Sequence, residues 1–307
     1  MRLLLVLLLG LAGPLQAAVT AEAWLARIGP ALRSVDYHGT LVYAAGGRME
    51  TLRVFHRVDG GRERERLVAL SGPPREVIRD GDKVMCIGTG IQPVSYDLRQ
   101  AGRWSEALAV SEAVRRQGYR ARLAGEGRIA GHAAQIVDVA ASDGWRYGYR
   151  LWIERETGLP LRVDLLDDDR RSIEQVAFTD IHLGVAPAEA DLRPSSGVSL
   201  SPVVALPRPD RAAPQWRVRL MPAGFELRAV RHLPEGVQLL YSDGLASVSV
   251  YVEPAAAGLR GSSSSRRGAV NIRSYWIDGW QVLAIGKVPA ATVDRFARNL
   301  RRVDADG

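Results

Sequence analysis

From residue 36 onward the chain alternates apolar and polar residues in short runs separated by glycine, proline and aspartate. A period of two broken by turn residues predicts strands joined by tight turns. The first runs are His38 to Ala45, Met49 to Val58, Arg62 to Leu70, Arg75 to Asp80 and Lys83 to Thr89, with Gly46-Gly47, Asp59-Gly60-Gly61, Gly72-Pro73-Pro74 and Asp80-Gly81-Asp82 between them. Connections this short predict an antiparallel meander. Helical spacing occurs in three places. Thr20 to Val35 has Trp24, Leu25, Ile28, Leu32 and Val35 on one side, with Thr20 as cap and Gly29-Pro30 expected to break or kink the helix. Trp104 to Gln117 places Leu108, Val110 and Val114 on one face, and Ala290 to Leu300 closes the chain as a third helix.

More strands follow at Tyr119 to Glu126, Ala134 to Ala141 and Ser172 to Leu183, and between them lies the most distinctive stretch, Gly144 to Asp168. Its first run sets Trp145, Tyr147, Tyr149, Leu151 and Ile153 against Arg146, Gly148, Arg150, Trp152 and Glu154. After the turn Glu156-Thr157-Gly158-Leu159-Pro160, Leu161, Val163 and Leu165 alternate with Arg162 and Asp164. The pattern predicts a hairpin with one ring-rich apolar face. That face is a wall around something apolar, either the protein's own core or a ligand.

Periodicity stops between Leu183 and Gln215, where six of the 16 prolines gather, as in an extended linker or a crossover hugging the surface. Short strands resume at Gln215 to Leu220, Glu226 to His232, Gln238 to Tyr241, Ala246 to Glu253, Ala269 to Tyr275 and Gln281 to Gly286, while Ala255 to Gly268 reads as a mobile, exposed loop. At the other end, Arg2 followed by the apolar Leu3 to Leu15 and the small-residue site at Ala17 reads as a secretory signal peptide, cleaved near Ala17. The expected plan is a signal peptide over 1–17, a larger domain over 18–183, a proline-rich linker over 184–214 and a smaller domain over 215–307. The class is mainly β, with helices added, and the expected location is the periplasm.

Charge divides at the same boundary. From Ala18 to Asp210, 25 Arg and one Lys balance 26 acids, whereas from Arg211 to Gly307 13 Arg and one Lys face eight acids, a surplus of six. Guanidinium chemistry suits bidentate contact with carboxylate or phosphate. For an exported protein the partners are then an acidic polypeptide or lipid phosphates rather than nucleic acid. The arginines proposed for that surface are Arg217, Arg219, Arg228, Arg231, Arg266, Arg267 and Arg273. The alternating charges of Arg62 to Arg66 read instead as cross-strand pairs.

No reaction chemistry emerges. Cys86 is the sole cysteine and reads as a structural thiol in a strand, so no disulfide forms within the chain. The five histidines lack metal-ligand spacing, with His56 expected half-exposed on its strand, and the Asp164 and Asp167 to Asp169 group lacks the form of a calcium loop. No nucleophile elbow, phosphate loop or SxxK motif is present. The reading is a binding protein, not an enzyme, with no cofactor or metal.

Six segments in order, Gly72 to Arg79, Asp143 to Tyr149, Leu151 to Ile153, Gly158 to Asp167, Leu220 to Phe225 and Tyr241 to Leu245, resemble the periplasmic regulators of the MucB/RseB family along essentially the whole mature chain. The resemblance implies an N-terminal domain similar to the lipoprotein carriers LolA and LolB, an unclosed antiparallel β-barrel with helices across its opening, followed by a smaller α+β domain. It also implies binding to the periplasmic segment of a MucA/RseA-like membrane anti-sigma factor, protection of that segment from regulated proteolysis, and release by lipopolysaccharide or a related amphiphile. Trp145, Tyr147, Tyr149 and Trp104 are the lipid-groove candidates. Assembly with further copies of the chain is left open, and a soluble lipid or lipoprotein carrier is the alternative function.

Overall fold

The structure is a computed structural model that describes residues 19–81, 83–88, 105–114, 118–195, 200–201, 215–255 and 261–303. The signal peptide and Trp104 lie outside the described residues.

Eleven strands form the first sheet: β1 (Tyr37–Ala45), β2 (Arg48–Asp59), β3 (Arg62–Ala69), β4 (Arg75–Asp80), β5 (Lys83–Gly88), β6 (Tyr119–Ile129), β7 (His132–Ala141), β8 (Gly148–Glu154), β9 (Pro160–Leu166), β10 (Ser172–Leu183) and β11 (Leu200–Ser201). Two meanders, β1 to β5 and β6 to β10, are joined by antiparallel pairing of β1 with β10, so the order runs β11-β5-β4-β3-β2-β1-β10-β9-β8-β7-β6 and the sheet does not close. Helices α1 (Ala21–Ser34) and α2 (Ser105–Ala113) supply further walls of its core. Thr20 caps α1 by accepting a hydrogen bond from the Ala23 amide at 3.2 Å. Pro30 does not end α1: it and Ala26, the residue whose carbonyl a Pro30 amide would have met, both lie on the exposed side of the helix. Trp24, Leu25 and Ile28 enter the core with Tyr37, Leu41, Leu151, Ile153 and Leu161.

Turn chemistry docks the central hairpin on α1. Glu154 accepts from the Glu156 and Thr157 amides and the Thr157 hydroxyl, and Arg27 donates to the Glu156 carbonyl at 2.7 Å. Gly158, at φ +81, leaves no room for a side chain, since a Cβ would lie 2.7 Å from the Cβ of Arg27. His56 is buried rather than half-exposed: its ring stacks on Tyr37 at 4.7 Å, and Nδ1 lies 3.0 Å from the Val35 carbonyl.

The described part of the proline-rich segment hugs the first sheet. Arg64 forks onto Glu189, Arg66 reaches the Asp191 carbonyl and Ser195, and Glu76 accepts from both Arg66 and the Ser195 amide. Leu192 is buried beneath these contacts, and β11 then pairs with β5.

The second unit has a six-stranded antiparallel sheet of order β13 (Glu226–Leu233), β14 (Gly236–Ser242), β15 (Ser247–Pro254), β18 (Trp280–Gly286), β17 (Val270–Ile277) and β16 (Ser262–Arg267). A two-stranded ladder of β12 (Trp216–Val218) with β19 (Leu300–Arg302) and the helix α3 (Ala290–Arg298) complete it. Its core packs Phe225, Tyr241 and Phe296 against Val248, Val250 and Val252. Part of the stretch expected as a mobile loop is β16, an edge strand in unbroken register with β17. All six of its residues are exposed, so backbone pairing forms a strand there without the apolar alternation that announces one in sequence.

Electrostatic fastening is concentrated at Asp138 in β7. The carboxylate is buried and takes hydrogen bonds from Arg150 on β8, Arg122 on β6 and Arg170 in the β9–β10 turn. Burial alone raises this carboxyl, but the hydrogen bonds and charge of Arg150, with Arg170 and Arg122, prevail and hold it below its ordinary value. Asp138→Asn is therefore expected to cost about 1–3 kcal/mol at neutral pH, measured by denaturant unfolding. Since the folded-state value is the depressed one, the carboxylate's contribution is complete above the ordinary aspartate value of 3.8 and is lost as pH falls through the folded value. The stability gap between wild type and variant should close in that acid range; a gap independent of pH would refute the role of the charge.

Candidate functional site

The connection between β7 and β8 turns away from the first sheet and buries an arginine against the second unit. Asp143 organises this turn by accepting a hydrogen bond from the Trp145 amide at 3.1 Å. Arg146 is 2% exposed. Its Nε donates to Asp243 at 2.5 Å, one terminal nitrogen donates to Asp143 at 2.5 Å, and the other donates to the Ala223 carbonyl. The guanidinium also faces the rings of Phe225, at 4.8 Å, and Tyr119, at 5.7 Å.

Asp243 is equally committed. It accepts from the Tyr119 hydroxyl at 3.1 Å and from the Leu245 and Ala246 amides at 2.9 and 2.7 Å. Burial by itself lowers the Arg146 pKa, but the hydrogen bonds and charges of Asp243 and Asp143 raise it on balance. Burial first, and the Asp243 charge second, push the Tyr119 phenol far above its usual range. The arrangement holds a permanent cation between two carboxylates, one from each unit.

Flanking contacts extend the joint. Asn271 donates to the Tyr147 hydroxyl at 3.0 Å and to the Val288 carbonyl at 2.7 Å, while Thr292 donates to the Trp145 carbonyl at 2.8 Å. Arg295 lies over the Trp145 ring at 4.8 Å, and Lys287 pairs with Glu174 at 2.9 Å. At Gly46, with φ +56, an added Cβ would lie 3.0 Å from the Gly268 Cα, so the β1–β2 turn and the β16–β17 turn touch backbone to backbone.

These contacts revise the reading of the ring-rich face. The strand begins at Gly148, not at Trp145, because Trp145, Arg146 and Tyr147 are taken up across the joint. Tyr149 faces the first core among buried residues. Arg146, assigned by alternation to the outward face, is the most deeply buried charge of the joint. A signal for it was present: the segments Asp143 to Tyr149, Leu220 to Phe225 and Tyr241 to Leu245 converge here from distant parts of the chain.

The seven candidate arginines are distributed over several elements. Arg273 is engaged by Asp294 and Tyr275, Arg228 by Glu226, and Arg231 by Gln238. Arg217 and Arg219 project from β12 and its end, with Arg217 directly opposite Arg301 of β19. Arg266 donates to the Gly268 carbonyl, and Arg267 is exposed beside it. Arg217, Arg219, Arg266 and Arg267 have no acidic partner among the described residues. Among those residues no three His, Cys, Asp or Glu side chains are grouped to hold a metal.

Comparison with known proteins covers both units. The MucB/RseB N-terminal domain matches residues 20–196, and the MucB/RseB C-terminal domain matches residues 210–301. The chain is 35% identical to the sigma factor AlgU regulatory protein MucB of Pseudomonas aeruginosa, over 97% of this chain and 96% of that protein. It is 27% identical to the sigma-E factor regulatory protein RseB of Escherichia coli, over 93% and 92% respectively. A crystal structure of MucB in complex with the periplasmic part of MucA superposes with TM-score 0.77 at 32% identity, covering 93% of this chain and all of that one. A further crystal structure of MucB gives 0.64 at the same identity, covering 92% and 98%. By sequence and by fold, across both units, this chain belongs to the MucB/RseB family.

Proposed function

We propose that this protein binds the periplasmic segment of a MucA/RseA-like membrane anti-sigma factor, protects it from regulated proteolysis, and lets it go when lipopolysaccharide or a related amphiphile binds. The observation that carries this reading is the match, along nearly the whole chain, to MucB captured with the periplasmic part of MucA. The exposed arginines without acidic partners among the described residues, Arg217, Arg219, Arg266 and Arg267, supply cationic groups for the anti-sigma segment.

Release follows from the joint. Two ligands that prefer different arrangements of the units oppose each other by population shift, to the extent that each discriminates between the arrangements. Trp145 and Tyr147 join the two units, so an acyl chain entering beside their rings displaces contacts of the joint. Each buried methylene contributes about 0.8 kcal/mol, so a few carbons match one buried hydrogen-bonded contact.

The direct test is a fluorescence anisotropy titration of the mature protein with the periplasmic segment of the cognate anti-sigma factor, repeated with added lipopolysaccharide. Saturable binding that the amphiphile reverses is expected. Absence of binding by the intact mature chain would end the regulator reading in favour of a lipid carrier. Charge reversal at Arg217 and Arg219 should weaken binding and flatten its salt dependence. Arg146→Met, which leaves Asp243 buried without its cation, should lower affinity by roughly 5–150-fold, the usual range for coupled sites, and broaden the distance distribution in small-angle scattering. Unchanged affinity with a broadened distribution would separate the joint from partner binding.

A further inference from the structure

The first sheet ends in β6, whose register shifts at a bulge between Leu123 and Gly125, and in the two-residue β11. The second ends in β13, bulged between Leu227 and Ala229, and in β16. Bulges and brevity are the means by which proteins make an open strand edge unfit for pairing. β16 has neither. Its six residues run in continuous register with β17, contain no proline and are all exposed, and among the described residues nothing pairs with its outer side.

Two depressions flank this strand. One, about 490 Å³, lies between β16, β17 and the start of α3 and is lined by Ser264, Arg266, Arg273, Ala290 and Asp294 among others. The second, about 420 Å³, is lined by Gly46, Ser172 and Ile173 of the first unit and by Arg266 and Gly268 of the second. Arg266 thus borders both, and the end of β16 opens onto the seam where the Gly46 and Gly268 backbones meet. Successive residues of a strand face opposite sides, so Arg266 and Arg267 offer one cation to each face of an added strand.

We infer that β16 is a docking edge for an extended acidic segment, which adds as a seventh strand to the second sheet and places carboxylates against Arg266 and Arg267. Main-chain hydrogen bonds give such a site affinity for any extended chain, and the two arginines select an acidic one. The inference rests on the proposed regulatory reading, with the anti-sigma factor's periplasmic segment as the occupant. It also links binding to the joint, since a strand continuing past Arg266 reaches the depression lined by both units, beside the contact of Gly46 with Gly268.

The test is amide hydrogen exchange on the full mature chain, with and without the periplasmic segment of the cognate anti-sigma factor, alongside affinities of wild type and the double variant Arg266→Glu with Arg267→Glu. Protection of amides within 262–267 should rise by at least about tenfold on binding, and the double variant should bind at least about tenfold more weakly while its own unfolding is unchanged. Binding with no change in exchange across 262–267 overturns the docking edge and leaves the regulatory reading standing. Protection in the wild type with full affinity in the variant overturns the acidic selectivity. No binding by the wild type removes the regulatory reading and this inference together.

Discussion

A guanidinium cannot shed its charge, so burying Arg146 obliges the surrounding structure to supply carboxylates and carbonyls in fixed places. Asp143 comes from its own turn, whereas Asp243 and the Ala223 carbonyl come from the other unit. The first sheet therefore cannot complete its β7–β8 connection without the second unit beside it. Asp243 is bound in turn, because its other oxygen holds the Leu245 and Ala246 amides and so shapes the β14–β15 turn. One buried charge anchors the joint that sets the relative position of two hydrophobic cores, which, Ala269 and Leu245 apart, are built from separate stretches of chain.

An ionic joint differs in kind from an apolar one. Desolvation of Arg146 and Asp243 offsets much of their attraction, so the net contribution to holding the units together is modest, while the geometric requirement is strict. Opening the joint returns both groups to water and recovers that desolvation. The apolar share is correspondingly small: Ala269 and Leu245 reach the first core, and Trp145 is shared between its own unit and α3. A joint of this type sets one orientation without making it irreversible. A ligand with a few kcal/mol of preference between arrangements is enough to move such an equilibrium.

Most strands were legible because their apolar residues alternate against a buried face, as in β1, β2, β8 and β15. The failures have specific causes. β16 gives no alternation because neither face is buried, so its serines and arginines carry no strand signal although its backbone is paired. The hairpin was extended three residues too far because Trp145 and Tyr147 continue the pattern of Tyr149 while their partners belong to another unit, out of reach of local periodicity. Arg146 fell on the outward face by the same count. Alternation with Phe55 and Arg57 along its strand gives His56 partial exposure, yet Tyr37 and the Val35 carbonyl enclose it. Sequence periodicity reports the face of an element, not what lies beyond its end.

The charge asymmetry was legible from composition, and the structure gives it a physical meaning. In the first unit, Arg146 apart, several arginines are committed internally: Arg122, Arg150 and Arg170 to Asp138, Arg64 to Glu189, Arg66 to Glu76, and Arg162 to Asp164 while it lies over Trp152 at 4.2 Å. These pairs hold strands and the proline-rich segment in place, and over Ala18 to Asp210 the cations and acids balance. In the second unit Arg217, Arg219, Arg266 and Arg267 face outward without carboxylate partners among the described residues, and Arg217 stands directly opposite Arg301, an arrangement that costs free energy in the absence of an anion. Long-range attraction and sensitivity to salt therefore belong to the second unit. Apolar packing in the first unit and surplus charge in the second therefore meet at one joint, where Arg146 and Asp243 tie the position of one to the position of the other.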